Sequence, residues 1–510
     1  MSVEVITTIS PTTNEPVVTR NGISQADLAL LPETATKAFQ TWRTTKLSDR
    51  QIIVRKALDA LASRTDELAR ELTEQMGRPI AYTGKEISTA IKRAEFLLKA
   101  SDEALKDSPG EAEKGFERFI RKVPVGPVLI IFAWNVSLAS FGLSPETPML
   151  FLTLFSAVLV PTPCAKRIEP VSMADTYYPY LILVNTLIPA LLAGDTVILK
   201  PSPQTPTVVE QVAKAFEEAG LPAGVLQYFH SGSPSVIESI VRNPLVAHVC
   251  FTGSVVGGLA VQRAAADRIV NVGLELGGKD PAYVRADVDV AWAAEQIVDG
   301  SVFNSGQSCC ALERVYVHES IHDAFVEAVQ GVLRGYVLGD PLDPKTHVGA
   351  VVSKRSKAAI EEQIKDALSK GAKDVTPTDN ESFQRAPAAG NFVPPTLLTG
   401  VTHDMLVMKE ETFGPLIPVM SVKDDAEALR LMNDSEFGLT ASVWTKDRAA
   451  AAALVDEIEA GTVFVNRCDY PSPDLAWTGW KNSGRGYTLS RFGFDQFVKL
   501  KSYHLADGPA

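Results

Sequence analysis

The sequence predicts an α/β protein with two parallel sheets, in at least two domains. Short apolar runs rich in β-branched residues alternate with helical stretches, which demands crossover connections and parallel pairing. This texture occurs twice, before and after Gly277-Gly278. The chain also has 510 residues, more than the roughly 250–300 that one core sustains.

The elements follow in order. Residues 26–105 carry helical periodicity with many charges. Ser48-Asp49 is the expected cap of a helix over Arg50–Arg64, with Ile52, Ile53, Ala57 and Leu61 on its buried face. Ile87, Ile91, Ala94 and Leu98 mark the face of another helix. Strands are then expected at Val128–Phe132, Asp195–Leu199, Val225–Phe229, His248–Phe251 and Ile269–Val272. Helices fall between them at Leu181–Leu192, Thr207–Ala219, Ser235–Val241 and Gly257–Ala266. The second series has helices at Val288–Phe303, Ser320–Leu333, Lys354–Ala372 and Asp425–Asp434, and strands at Phe392–Leu398, Leu416–Ser421 and Val463–Val465. Parallel sheets bind ligands at the carboxyl ends of their strands, so the residues just after these runs are the ones to read for chemistry.

Composition narrows the classes. A net charge of −12 repels phosphate backbones, so no nucleic acid partner is expected. The five cysteines, Cys164, Cys250, Cys309, Cys310 and Cys468, form no Cys-x-x-Cys pair, which argues against a disulfide framework or a zinc finger. With no basic-then-apolar leader at Met1–Glu4, a cytoplasmic location is expected. The apolar run Met149–Val160 is bounded by Pro148 and Pro161 at 12 residues, short of the about 20 a membrane span needs; no membrane partner is expected. His318-Glu319-Ser320-Ile321-His322 has the spacing of a zinc-protease signature, which works only within a helix. Here Arg314–Val317 reads as strand and Ser320 as an N-cap, so the histidines straddle a helix start and no metal is assigned.

Polar residues cluster after the predicted strands. Trp134-Asn135 closes the first, Lys200-Pro201-Ser202-Pro203 the second and Phe251-Thr252-Gly253-Ser254 the fourth. Beside them stand Glu275-Leu276-Gly277-Gly278-Lys279, Gly306-Gln307-Ser308-Cys309-Cys310 and Glu411-Thr412-Phe413-Gly414-Pro415. Each alone is a weak signal: a cysteine is usually a small buried hydrophobe, and Glu275 has a structural alternative as the partner of Lys279. In this order and spacing the set resembles the aldehyde dehydrogenase superfamily, from about Ser48 to Leu505.

The resemblance implies a Rossmann-like cofactor domain (1–114 and 124–274), a second α/β catalytic domain (275–465) and a small β oligomerisation arm (115–123 and 492–507). It implies oxidation of a small-molecule aldehyde to an acid with NAD or NADP. Cys309 matches the nucleophile, since thiolate addition makes the carbonyl carbon a hydride donor. Asn135 matches the oxyanion donor, and Glu275 the base that hydrolyses the thioester. Lys200, Ser202, Gly253, Ser254, Glu411 and Phe413 match the cofactor site, with Gly253 and Ser254 at a helix start that faces anions. No Gly-x-Gly-x-x-Gly fingerprint occurs. Pro203 stands where many NAD-preferring members carry Glu, which leaves NAD against NADP open. Tyr470 and Trp477 fall in the stretch expected to line the substrate pocket, leaning toward an aliphatic or aromatic aldehyde. The tail from Phe492 to His504, beside Phe116–Lys122, resembles the arm that pairs with a neighbouring subunit, implying a homodimer or homotetramer. Two alternatives stand beside this reading: a CoA-acylating enzyme, which a hydrolytic Glu275 would undercut, and a non-catalytic relative.

One stretch departs from the family. Asn135 should lead almost at once into the Tyr178-Pro179 sequence, but 42 residues, Val136–Tyr177, intervene. A loop capping the cleft, translated non-coding sequence and a chain that no longer catalyses are three readings of it. An acceptor splice site directly before Tyr178 would need Lys, Gln or Glu at 177, and Tyr177 is none of these. A loop of that length beside Asn135 should disturb the oxyanion donor. Deleting Val136–Tyr177 is therefore expected to raise aldehyde-dependent NAD(P)H formation; equal or lower turnover would contradict that.

Overall fold

A computed structural model describes residues 4–132 and 179–508. Asn135 and the Val136–Tyr177 stretch lie outside the described residues.

The first sheet is built on five parallel strands. Asn271–Glu275, His248–Thr252, Pro127–Phe132, Thr196–Pro201 and Leu226–Tyr228 lie side by side in that order. The first strand in sequence is central, the next two lie to one side and the last two to the other. Strand order reverses between Pro127–Phe132 and His248–Thr252, which opens a crevice at their carboxyl ends. Register makes that edge level: Phe132 stands beside Thr252 and Pro201, and Thr252 beside Glu275. The strands are apolar on both faces because helices cover both; Val128, Leu129, Ile130, Val197, Ile198 and Leu199 are all buried.

Four helices, Gln25–Trp42, Leu47–Ala62, Thr65–Met76 and Ile80–Ala104, precede the sheet. The last of them packs along the helix Pro179–Ala193. The second begins earlier than the sequence suggests. Lys46 stands at its cap without a side-chain bond, and Ser48-Asp49 lie inside the first turn. Its buried face is Val54, Ala57, Leu58 and Leu61, while Ile52 is 53% exposed; the apolar stripe is rotated from the one expected. The fifth strand starts at Asn271 rather than Ile269. The Arg268 guanidinium donates to the carbonyls of Val241 and Val246, which holds the preceding residues in a turn.

The second sheet has seven strands in the order Lys373–Asp374, Thr396–Thr399, Leu416–Val422, Leu312–His318, Asp280–Val284, Thr440–Trp444 and Thr462–Val465. All neighbours are parallel except the first pair. The strand expected from Phe392 begins only at Thr396, because Pro394 and Pro395 cannot donate to a ladder. After Leu312–His318, a 3₁₀ turn at Glu319–Ile321 precedes the helix His322–Leu333. The His318 imidazole, not Ser320, accepts the backbone N–H at this start.

A third sheet is antiparallel. Val498–Ala506 pairs with Phe116–Pro124 along its whole length, and Ser108–Pro109 adds a short edge. Phe492–Phe497 is not part of this arm: it forms a 3₁₀ turn whose Phe494 and Phe497 are buried in the first core. Another return to the first unit is Gly484–Arg485, which pairs antiparallel with the end of Asn271–Glu275. No helix among the described residues is long and apolar enough to cross a membrane.

Ile130 sits at the centre of the first sheet, 2% exposed. Ile130→Ala is expected to cost about 2–5 kcal/mol, read as a lower urea midpoint for loss of tryptophan fluorescence.

Candidate active site

A cavity of about 240 Å³ opens between the two sheets. Cys309, Glu275, Tyr470 and Trp477 all line it. Cys309 is delivered by a strained turn. Asn304, Ser305 and Gly306 are successively left-handed, with φ of 54°, 59° and 69°, a conformation L-residues hold only when their surroundings demand it. Gln307 supplies that demand: its amide donates to the Asn304 carbonyl and accepts from Val352 N–H at 2.9 Å, and Asn304 donates back to the Gln307 carbonyl. The glutamine two residues before the cysteine is thus a brace. Burial pushes the Cys309 thiol up, against the hydrogen bond from Cys310, which lowers it.

Glu275 ends its strand at the cavity. Thr488 donates its hydroxyl to the carboxylate at 2.5 Å, and Thr488 is placed by backbone pairing with Trp477. Burial raises the Glu275 carboxyl to about 7, opposed by Thr488 and Arg93. Glu275 is not the partner of Lys279. The Lys279 ammonium lies 2.8 Å from Glu313 instead, both fully enclosed, so the structural alternative for Glu275 fails. Glycines 277 and 278 serve close approach: a Cβ at Gly278 would overlap the Cys309 carbonyl, and one at Gly277 would overlap the Glu411 carboxylate.

The residues matched to the cofactor gather around the level strand edge and its neighbour loop. Lys200 is fully buried. Its ammonium has no hydrogen-bond partner among the described residues, and burial lowers it to about 7. Ser202 accepts from Gln204 N–H. Ser254 caps the helix Val255–Ala264 by accepting from Gly257 N–H, and Gly253 N–H is already given to the Glu275 carbonyl. Glu411 is buried, accepts from Gly278 N–H at 3.0 Å, and is pushed well up by burial and by Glu313. Phe413 is left-handed at φ 49° and fully buried in the first core. An orphaned buried ammonium at the carboxyl edge of the sheet, on the strand next to the one where strand order reverses, fits a polar, anionic dinucleotide. Among the described residues no cluster of three His, Cys, Asp or Glu side chains is set to hold a metal.

Several cavity residues escape sequence reading. Arg93, from the helix Ile80–Ala104, donates to Asn185 and to the Pro471 carbonyl. Asp469 accepts from Cys310 and Ser308, and burial raises it to about 6. Arg78 and Glu86 form an enclosed pair at 2.5 Å. Arg93, Arg78 and Glu86 sit in helices or loops with no motif around them, and only the folded chain brings them to Cys309; Asp469 belongs to the Cys468–Trp480 stretch that the sequence places near the pocket.

The geometry describes a cysteine-centred cleft between a dinucleotide-type sheet and a second parallel sheet. A family model for the aldehyde dehydrogenase family matches residues 1–145 and 177–503, and its break lies inside the inserted stretch. A succinate-semialdehyde dehydrogenase [NADP(+)] of Mycolicibacterium paratuberculosis is 31% identical over 500 residues, covering 98% of this chain and 96% of that protein. An aldehyde dehydrogenase of Paenarthrobacter nicotinovorans is 31% identical over 503 residues, covering 98% and 99%. Among solved structures, an NAD-dependent aldehyde dehydrogenase from Sinorhizobium meliloti superposes with a TM-score of 0.86 at 30% identity, covering 99% and 92% of the two chains. The chain belongs to the aldehyde dehydrogenase family.

Lys200 gives a pH signature in the absence of cofactor. Its pKa falls from 10.5 unfolded to about 7 folded, so between those values the unfolded chain holds a proton the folded chain has released. Its contribution to stability therefore rises with pH across that window, by up to about 1.4 kcal/mol per unit. Lys200→Met is expected to be more stable than wild type at pH 7, with the difference closing toward pH 10 in urea titrations.

Proposed function

We propose that the protein oxidises a small aldehyde to its carboxylic acid with NAD or NADP, through a covalent intermediate on Cys309. The observation that carries this is that Cys309 and a carboxyl held near neutrality, Glu275, share one small cavity with apolar walls. The Cys309 thiolate adds to the aldehyde carbon, forming a tetrahedral thiohemiacetal. Asn135 is assigned, on the family resemblance, as donor to its oxygen. Bound NAD or NADP supplies the hydride acceptor; Lys200, Ser202, Gly253, Ser254, Glu411 and Phe413 are the residues assigned to hold it.

What remains on Cys309 is a thioester. Glu275 then takes a proton from water so that the oxygen attacks the acyl carbon, releasing the acid and returning the thiol. A carboxyl titrating near 7 suits this: it is ionised enough at neutral pH to accept a proton, yet far more basic than a solvated glutamate. Tyr470 and Trp477 form the aromatic part of the substrate wall. The strand Val498–Ala506, with Leu500 and Leu505 exposed, is assigned to pairing with another copy in a homodimer or homotetramer.

Rapid mixing with an aldehyde panel tests the reading. Wild type is expected to show a burst of NAD(P)H. Cys309→Ala should abolish it. Glu275→Gln should keep the burst, accumulate the acyl adduct by mass spectrometry, and turn over about 100-fold or more slowly. In wild type the hydrolytic limb should rise through pH 7 as Glu275 ionises. No burst with any aldehyde or either cofactor would favour a non-catalytic relative.

A further inference from the structure

Among the described residues the cavity wall carries one buried cation without an ion pair, Arg93; Lys85 also lines it, but is exposed and lies over the Tyr82 ring. The cavity's three carboxyl groups are each provided for: Glu86 is paired with Arg78, Asp469 receives Cys310 and Ser308, and Glu275 receives Thr488. Arg93 is 6% exposed and forms no ion pair among the described residues. Its two contacts are neutral: Nη1 donates to the Asn185 side-chain oxygen at 3.1 Å and Nη2 to the Pro471 carbonyl at 3.2 Å. Its Nε–H is buried with no partner.

Burying a cation is costly unless an anion meets it, and a guanidinium carries five donors in a fixed fork. Asn185 and Pro471 hold that fork in place without neutralising it. The rest of the wall near Cys309 is largely apolar, including Leu181, Ile182, Phe303 and Trp477. A ligand that satisfies this cavity is small, has an apolar middle, puts an electrophilic carbon at Cys309 and brings a carboxylate to Arg93.

We propose that Arg93 is the specificity residue of this site and binds the carboxylate of a short aldehyde acid. The assignment rests on the aldehyde-oxidising reading above and goes beyond it in naming the charge the substrate carries. It adds a single negative charge to the aliphatic or aromatic aldehyde toward which Tyr470 and Trp477 lean. Arg93 lies near Glu275 as well, so its competing role is that of a counter-cation to the base, which would affect every substrate alike.

The test compares 4-oxobutanoate with butanal, equal in carbon number, using the full-length chain. In Arg93→Gln the ratio of kcat/KM for 4-oxobutanoate over butanal is expected to fall about 10- to 100-fold, mainly through KM, and Arg93→Lys should recover part of it. An equal loss with both aldehydes, or an unchanged ratio, overturns the proposal. A second measurement needs neither variant nor turnover: in wild type, butanoate should slow alkylation of Cys309 by iodoacetamide, while 1-butanol at the same concentration should not. Equal protection by both overturns it as well. Selective protection by butanoate without oxidation of any aldehyde would leave the carboxylate subsite standing and remove the oxidation reading.

Discussion

The enclosed ion pair of Lys279 and Glu313 joins the segments on which the site depends. Glu313 takes the Lys279 ammonium at 2.8 Å and the Thr412 N–H at 2.7 Å on one oxygen, and the Phe413 N–H at 2.8 Å on the other. Lys279 also donates to the Thr412 hydroxyl. Three stretches far apart in sequence are thereby held together: the one after Glu275, the strand that follows Cys309, and the loop bearing Glu411. Both charges have lost water, so removing one partner would leave the other stranded, at a cost of about 3–5 kcal/mol. Glu411 adds a further tie through Gly278 N–H, and Gly278 in turn has no side chain to separate it from the Cys309 carbonyl.

Around this junction the site is assembled by close approach more than by charge. Glycines at 277 and 278 allow contacts that any side chain would prevent. The left-handed run Asn304–Gly306 is held by Gln307, which projects Cys309 into the cavity. Burial then sets the chemistry, raising Glu275 toward neutrality and disfavouring the Cys309 thiolate. Among the described residues Lys200 and Arg93 are buried cations that form no ion pair, one at the strand edge and one in the cavity. A dinucleotide and the proposed acidic substrate are chemically suited to neutralise them.

Much of the fold was legible from local pattern. The strand at Val128–Phe132 and the helices over 181–192 and 207–219 follow from apolar runs and periodicity, and the structure places elements at each. Boundaries failed where a longer-range contact intervened. Ile269 and Val270 have strand-forming side chains, but Arg268 bonds the carbonyls of Val241 and Val246 and delays the strand. Ile52 is apolar yet exposed, because the helix is oriented by Val54, Ala57, Leu58 and Leu61 together. Asp280–Val284 and Thr440–Trp444 pair inside the second sheet without a run distinctive enough to mark them beforehand.

The sequence by itself determined the family and singled out the candidate reactive groups, because Gln307-Ser308-Cys309, Glu275-Leu276-Gly277-Gly278 and Glu411-Thr412-Phe413 are contiguous motifs whose spacing survives in one dimension. Only the tertiary structure decided which charges meet. Lys279 turned out to belong to Glu313 and not to Glu275, four residues away. Arg93, separated from Cys309 by 216 positions (309 − 93), shares its cavity. Electrostatic partnership depends on distance and burial in space, and neither quantity is carried by position along the chain.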